Sequence, residues 1–365
     1  MASCVQGTCF AGIVLALACV PLTAQGNAQS APCGNQEANQ LLRRGHDSFP
    51  KSGYGLPPIV AAAGQALAYF QLAVEKDPTC AQAYVALAEA EIWFPSWPGL
   101  PPDERFQKVK EAATKAIGLQ NSLAEAHALL GEAEFNTWQW EPAEKEFKEA
   151  IELAPDDARY HVYYGQFLAA MGRSNQAIEE AEKAREIAHG AQRIDVAAGA
   201  IYYWTRHYDK AVELIRPAAG SDPMNNFLLG WAYVGESKWQ EAINAFATIV
   251  PLTDRDAGDV MSLAYAYASD GRRSDVPPML EEVKQRTTLM YVPVYRIAAT
   301  YVAMGDKEHA LEWLEKANTE DRGWMVWMKV DPVMDPLRSD PRFQNLLRNM
   351  KFPSQTRNGT WSALH

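Results

Sequence analysis

After its first twenty residues the chain has no run near the ~18 apolar residues that a membrane-crossing helix needs. It also lacks a surplus of positive charge, with a formal net charge of −11 and a pI near 5.2. Such a chain repels a phosphate backbone. The nearest basic pairs, Arg43-Arg44 and Arg272-Arg273, read as solvated charges, so nucleic acid is set aside as a partner. Missing too are the usual catalytic signatures: there is no His-Glu-x-x-His, Cys-x-x-Cys, Gly-x-Ser-x-Gly or phosphate loop. The seven histidines are scattered, and none sits in a metal-ligand spacing. The paired carboxylates Glu179-Glu180 and Glu281-Glu282 read as solvated charge, not as an acid/base dyad. The expectation is a non-enzymatic protein without cofactor or metal.

The N-terminus lacks charge of either sign, since residues 1–36 contain no Asp, Glu, Lys or Arg. An apolar stretch from Phe10 to Val20 is followed by Pro21 and small residues up to Ala31. This is the order of a signal-peptide core and its cleavage zone, although the usual basic residues before the core are missing. Residues 1–28 are expected to be removed after Ala24 or Ala28, leaving an exported protein, periplasmic or secreted. Ala16-Leu17-Ala18-Cys19 is a poor lipid-attachment box.

What is present is a repeat. Small residues recur at Ala88, Gly131, Gly165, Gly199, Gly230, Ala264 and Ala298, with intervals of 43, 34, 34, 31, 34 and 34. A second column, Ala66, Val109, Ala143, Ala177, Ala211, Ala242, Val276 and Ala310, shows intervals of 43, 34, 34, 34, 31, 34 and 34. Both columns carry the same period and the same two breaks. The long interval places nine extra residues, Phe94 to Pro102, inside the second unit, where prolines forbid continuous helix. The short interval removes three residues from the turn around Asp222-Pro223. In each unit the small residues let two antiparallel helices approach, while Leu, Tyr and Phe fill the gaps between units. Prolines such as Pro78, Pro155 and Pro223 end the second helix. His127 and His161 share one repeat position and read as core filling.

Of five cysteines, Cys4, Cys9 and Cys19 lie in the expected leader. Cys33 and Cys80 begin the first helices of adjacent units, at one edge of the stack. In an oxidising compartment they are candidates for a disulfide.

The period and the small-residue columns resemble the tetratricopeptide repeat (TPR). The resemblance implies an all-α, right-handed superhelical solenoid of about eight helix-turn-helix units over residues 34–321. The run from Gly323 to Pro332, then Asp335 to Phe343, with Gly305-Asp306-Lys307 and Ala310 to Leu314 ahead of it, is similar to the TPR region C-terminal to bacterial winged-helix regulators, receptor-type kinases and adenylate cyclases. No such output segment is recognisable in this sequence. Residues 322–350, with Trp324, Trp327, Leu337, Phe343, Leu346 and Leu347, are expected to cap the exposed end of the last repeat. Residues 351–365 read as a disordered tail.

The resemblance also implies a concave groove lined by first helices. Reading off its positions gives Val85, Glu89, Ile92 and Trp93, then Glu125, Ala128, Glu132 and Phe135, then Arg159, Val162, Gln166 and Ala169. The basic set with which chaperone-binding TPRs clamp a peptide carboxylate is missing. Trp93, Phe135, Tyr203, Trp204, Phe227, Trp231, Tyr265 and Tyr295 are the candidate partner-binding residues, for an apolar or extended peptide segment of a protein. The competing reading packs these rings on one another or on the cap. The functional expectation is an exported protein-interaction scaffold. A sensor subunit with a separate output protein is the alternative, and an unrecognised hydrolase the remaining one.

Overall fold

The structure, a computed structural model, describes residues 33–49, 57–93, 102–286, 294–320, 322–355 and 361–362. The expected signal peptide, and all but the last residue of the proline-rich insertion, lie outside the described residues. The described chain forms an all-helical TPR-like solenoid of eight helix pairs. The pairs are α1 (Gln36–Ser48) with α2 (Pro57–Lys76), α3 (Ala81–Trp93) with α4 (Pro102–Leu119), and α5 (Ala124–Asn136) with α6 (Trp140–Leu153). Next come α7 (Ala158–Ala170) with α8 (Ser174–Ala188), α9 (Gln192–Trp204) with α10 (Tyr208–Ile215), and α11 (Pro223–Gly235) with α12 (Trp239–Ile249). The last two are α13 (Ala257–Ser269) with α14 (Val276–Arg286) and α15 (Val294–Met304) with α16 (Lys307–Glu320). A C-terminal segment follows, with the one-turn helix α17 (Arg322–Met325), a 3-10 stretch at Pro332–Leu337 and α18 (Pro341–Asn349).

The small-residue columns act as the sequence implies. A methyl group on Gly131 would come within 2.9 Å of Phe147, on Gly199 within 2.6 Å of Ile215 and on Gly230 within 2.5 Å of Phe246. Each glycine thus admits a large side chain of the partner helix. Helix starts are capped by Asn35, Asp157, Asp222 and Asp256, whose side chains accept backbone N–H groups of the first turn. Pro217 limits α10, which ends in a 3-10 turn at Arg216–Ala218, next to the shortened connection.

The turns inside the units repeat as well. Trp138, Gly172, Arg206, Ser237, Gly271 and Gly305 all adopt the left-handed conformation, with φ of 63°, 75°, 67°, 57°, 85° and 80°. Only three of the six are glycine, so the other three hold a conformation that costs an L-residue roughly 1–2 kcal/mol.

Cys33 and Cys80 are joined in a disulfide. It closes a small separate core in the first unit, around Leu42, Phe49 and Phe70. One continuous core runs from unit 2 to the C-terminal segment. A few residues beyond 350, where a disordered tail is expected, also make contacts among the described residues. Phe352 stacks on Trp140 with centroids 4.7 Å apart, and Ser354–Gln355 pairs antiparallel with Trp361–Ser362.

Candidate functional site

The first helices of the units line the inner wall, and the C-terminal segment lies on it. Trp327 is 0% exposed, stacked on Trp204 at 4.2 Å and set edge-on to Phe135 at 6.2 Å. The Lys329 ammonium donates to the carbonyl of Met171 at 3.0 Å, at the end of α7. Arg206, just past α9, holds Asp335 through two hydrogen bonds of 2.7 Å. The Trp140 indole donates to the carbonyl of Met350 at 2.8 Å, across 210 residues of sequence. Residues 322–350 were expected to cap the last repeat. They do touch it, for Arg342 in α18 pairs with Glu308 and Glu315 of α16. They also reach units 3 to 5, through the Trp327, Lys329, Asp335 and Met350 contacts.

The aromatic stripe is interior. Phe135, Tyr203, Trp204, Phe227, Trp231, Tyr265 and Tyr295 are all buried. Trp231 packs on Phe246 at 5.4 Å and on Tyr265 at 5.3 Å. These rings pack on one another and on the returning segment, the arrangement that competed with partner binding in the sequence. The side chain of Trp93 lies outside the described residues.

The stripe holds an internal cation. Arg296, on α15, places its guanidinium 4.2 Å from the Trp231 centroid and 5.6 Å from that of Phe227. Asp331 supplies the opposing charge from the C-terminal segment. Its carboxylate accepts from the Tyr295 hydroxyl and the Val333 amide, both at 2.9 Å. Burial raises the pKa of Asp331 and the field of Arg296 opposes that shift. Sequence reading missed Arg296. The available signal was one charge inside an otherwise uncharged helix, VYRIAATYVAM.

The repeated histidines are structural in matching ways. His127 Nδ1 lies 2.6 Å from Glu146 and Nε2 3.0 Å from the Asn121 carbonyl. His161 repeats this with Glu180 at 2.6 Å and the Pro155 carbonyl at 3.0 Å. Glu180 therefore holds a histidine, and Glu282 binds Arg255 through bonds of 2.9 and 2.6 Å, while Glu179 and Glu281 stay exposed. The reading of both pairs as purely solvated charge is corrected on this point. Among the described residues no three His, Cys, Asp or Glu are grouped to hold a metal ion, and no helix is long and apolar enough to cross a membrane.

The last unit matches the family model "Tetratricopeptide repeat" over residues 294–323. The whole described array shares a fold with solved solenoids. A human IFIT1 chain, solved as a dimer with m7Gppp-AAAA, superposes with a TM-score of 0.56 at 12% identity, covering 88% of each chain. Yeast Tom70 superposes with a TM-score of 0.50 at 13% identity, covering 92% of this chain and 72% of that one. The described array is thus a TPR-like solenoid whose last unit is a tetratricopeptide repeat. TPR proteins are scaffolds for protein partners and typically carry no enzyme activity. Hsp70-Hsp90 organizing protein 3 of Arabidopsis thaliana is 26% identical over 123 residues, 34% of this chain. The chain spans only 22% of the length of that curated relative, and the same share of its Glycine max counterpart.

Proposed function

We propose that this TPR protein is an exported scaffold that binds a partner protein along the inner wall of its N-terminal units. The observation that carries the reading is the division of that wall. Units 5 to 8 are filled by their own rings, and the returning segment lies on the C-terminal ends of the first helices of units 3 to 5. The inner wall of units 2 to 4 instead carries polar side chains, Glu89, Glu132 and Gln166, at matching positions of successive first helices. The aromatic residues expected to contact a partner then act from beneath, by fixing the wall and the segment. They become partner contacts only where Trp327 is displaced from Trp204 and Phe135.

The Cys33–Cys80 bond supports export, because disulfides persist in oxidising compartments. The acidic wall argues against a phosphate-bearing ligand such as the one in the IFIT1 structure. A carboxylate clamp lacks its basic residues, so chaperone tails do not follow from the similarity to the Hsp70-Hsp90 organizing protein. The C-terminal run that resembles regulator-linked TPR regions keeps a sensor role as the second reading.

A photo-crosslinker tests the scaffold reading. Placed at Glu125, on the rim of the wall, it is expected to give a discrete adduct with an envelope protein. At Lys145 or Lys183, on second helices, it is expected to give none. Adducts only from the second helices refute the reading. Recovery of full-length chain with Met1 in the cytoplasm refutes export.

A further inference from the structure

The N-terminal half of the wall holds two buried polar groups that the fold does not use. Glu132, in the middle of α5, is 3% exposed. Its carboxylate takes part in no hydrogen bond or ion pair among the described residues; only its backbone carbonyl accepts, from Asn136. Gln166 occupies the equivalent position one unit later, on α7, and is 1% exposed. Neither atom of its side-chain amide has a partner. Tyr163 lies one helical turn before Gln166 on the same face. Burial pushes its phenol up, and Glu132 and Glu89 are among the charges acting on it, so α5, α7 and α3 present these groups to one region.

Leaving such groups unpaired is costly. A buried amide without partners forfeits its hydration, and a buried carboxyl without a counter-charge holds its proton, as burial does to Glu132 by raising it well above its ordinary value. Folded proteins satisfy almost all such groups, and the exceptions cluster where something else binds. The missing partner must carry N–H donors for the Glu132 and Gln166 oxygens, while the Gln166 nitrogen offers a donor of its own. A cation is the partner beside which Glu132 ionises. The nearby Arg159 is already committed to Asp157, with Glu125 at 3.9 Å. Aromatic faces at Tyr160 and Tyr163 suit a cation as well.

We infer that the inner wall of units 2 to 4 is a binding site for an alkylammonium group, with the Glu132 carboxylate as counter-ion and the Gln166 side-chain oxygen as second acceptor. The inference rests on the reading of this wall as the binding face of the scaffold. The ammonium comes either from a lysine of an extended partner segment or from a free amine. Three donors on one compact charge match two acceptors and a ring face better than the planar fork of a guanidinium does.

Calorimetry on the full chain tests this with two probes, cadaverine and the peptide acetyl-Gly-Lys-Gly-amide. At least one is expected to bind with a dissociation constant tighter than about 10 mM, a scale suited to a single charged contact. Binding of the peptide alone assigns the site to a partner lysine; binding of cadaverine assigns it to a free amine. Glu132→Gln is expected to weaken that binding at least tenfold, and the Nε-acetylated peptide is expected not to bind. Should Glu132→Gln fail to fold, Gln166→Leu carries the same comparison with at least a threefold loss. Absence of binding by both probes, or affinity unchanged in the variants, overturns the ammonium site. Because the crosslink at Glu125 needs no amine, its persistence then leaves the scaffold reading standing.

Discussion

Removing the indole of Trp327 tests whether the C-terminal segment holds the inner wall together. A buried tryptophan removes about 200 Å² of surface from water. At about 25 cal/mol per Å² that amounts to about 5 kcal/mol. The stack on Trp204 at 4.2 Å and the edge contact with Phe135 add about 1 kcal/mol. Against this, the Trp327 indole N–H has no hydrogen-bond partner, a penalty of roughly 1–3 kcal/mol that truncation relieves. Trp327→Ala is therefore expected to cost about 4 kcal/mol, within the usual range for emptying a large core site. Trp327→Phe keeps a ring and discards the unpaired N–H, so its cost is expected to stay near 1 kcal/mol. Urea unfolding followed by far-ultraviolet circular dichroism reads both. An alanine variant within about 1 kcal/mol of wild type, with an unchanged denaturant slope, refutes the reasoning. Equal losses for alanine and phenylalanine refute the part assigned to the indole N–H.

Three further outcomes follow from named contacts. Removing the Cys33–Cys80 bond, which spans 47 residues, is expected to destabilise the first unit by up to about 4 kcal/mol on the chain-entropy account, read as a lower-temperature melt in reductant. Gly230→Ala is expected to cost roughly 1–3 kcal/mol, since the added methyl meets Phe246 at 2.5 Å. Gly118→Ala, with open space around it in α4, is expected to gain roughly 0.5–1 kcal/mol, and thermal melts compare the two. The His127–Glu146 pair carries a pH signature. Burial alone lowers the histidine pKa, but its bonds to Glu146 and to the Asn121 carbonyl hold it above its ordinary value. Burial alone raises the glutamate, yet the histidine bond holds it below. The contribution is thus fully present between roughly pH 4.5 and 6.5. It is lost as pH rises through the folded histidine value or falls through the folded glutamate value. His127→Gln is expected to cost roughly 1.5–3 kcal/mol at pH 6 and less at pH 9, measured by denaturation at both.

The fold was legible because it repeats. Two columns of small residues reported the period, both breaks and the register that brings Cys33 beside Cys80. The left-handed turns were legible only at Gly172, Gly271 and Gly305. Trp138, Arg206 and Ser237 occupy the same conformation without a residue type that announces it. The reach of residues 322–352 to units 3 to 5 was hidden for a different reason. Trp327 meets Trp204, and Met350 meets Trp140, across separations that no periodic signal records. The aromatic stripe was found, but its use depended on that missing segment and on Arg296. Glu132 and Gln166 were placed on the concave face by register alone. That they lack partners is a fact of three dimensions.

The returning segment also changes how the array must fold. A linear solenoid can nucleate anywhere and melt from its ends, because each unit depends only on its neighbours. Here residues of the C-terminal segment lie against units made long before, as in the bond from Trp140 to Met350. Closing so long a loop is entropically slow, and it comes late in synthesis. Until it closes, Phe135 and Trp204 lack the cover that Trp327 gives them. Once closed, the array loses its independent ends and is expected to melt from unit 2 onward as one cooperative body.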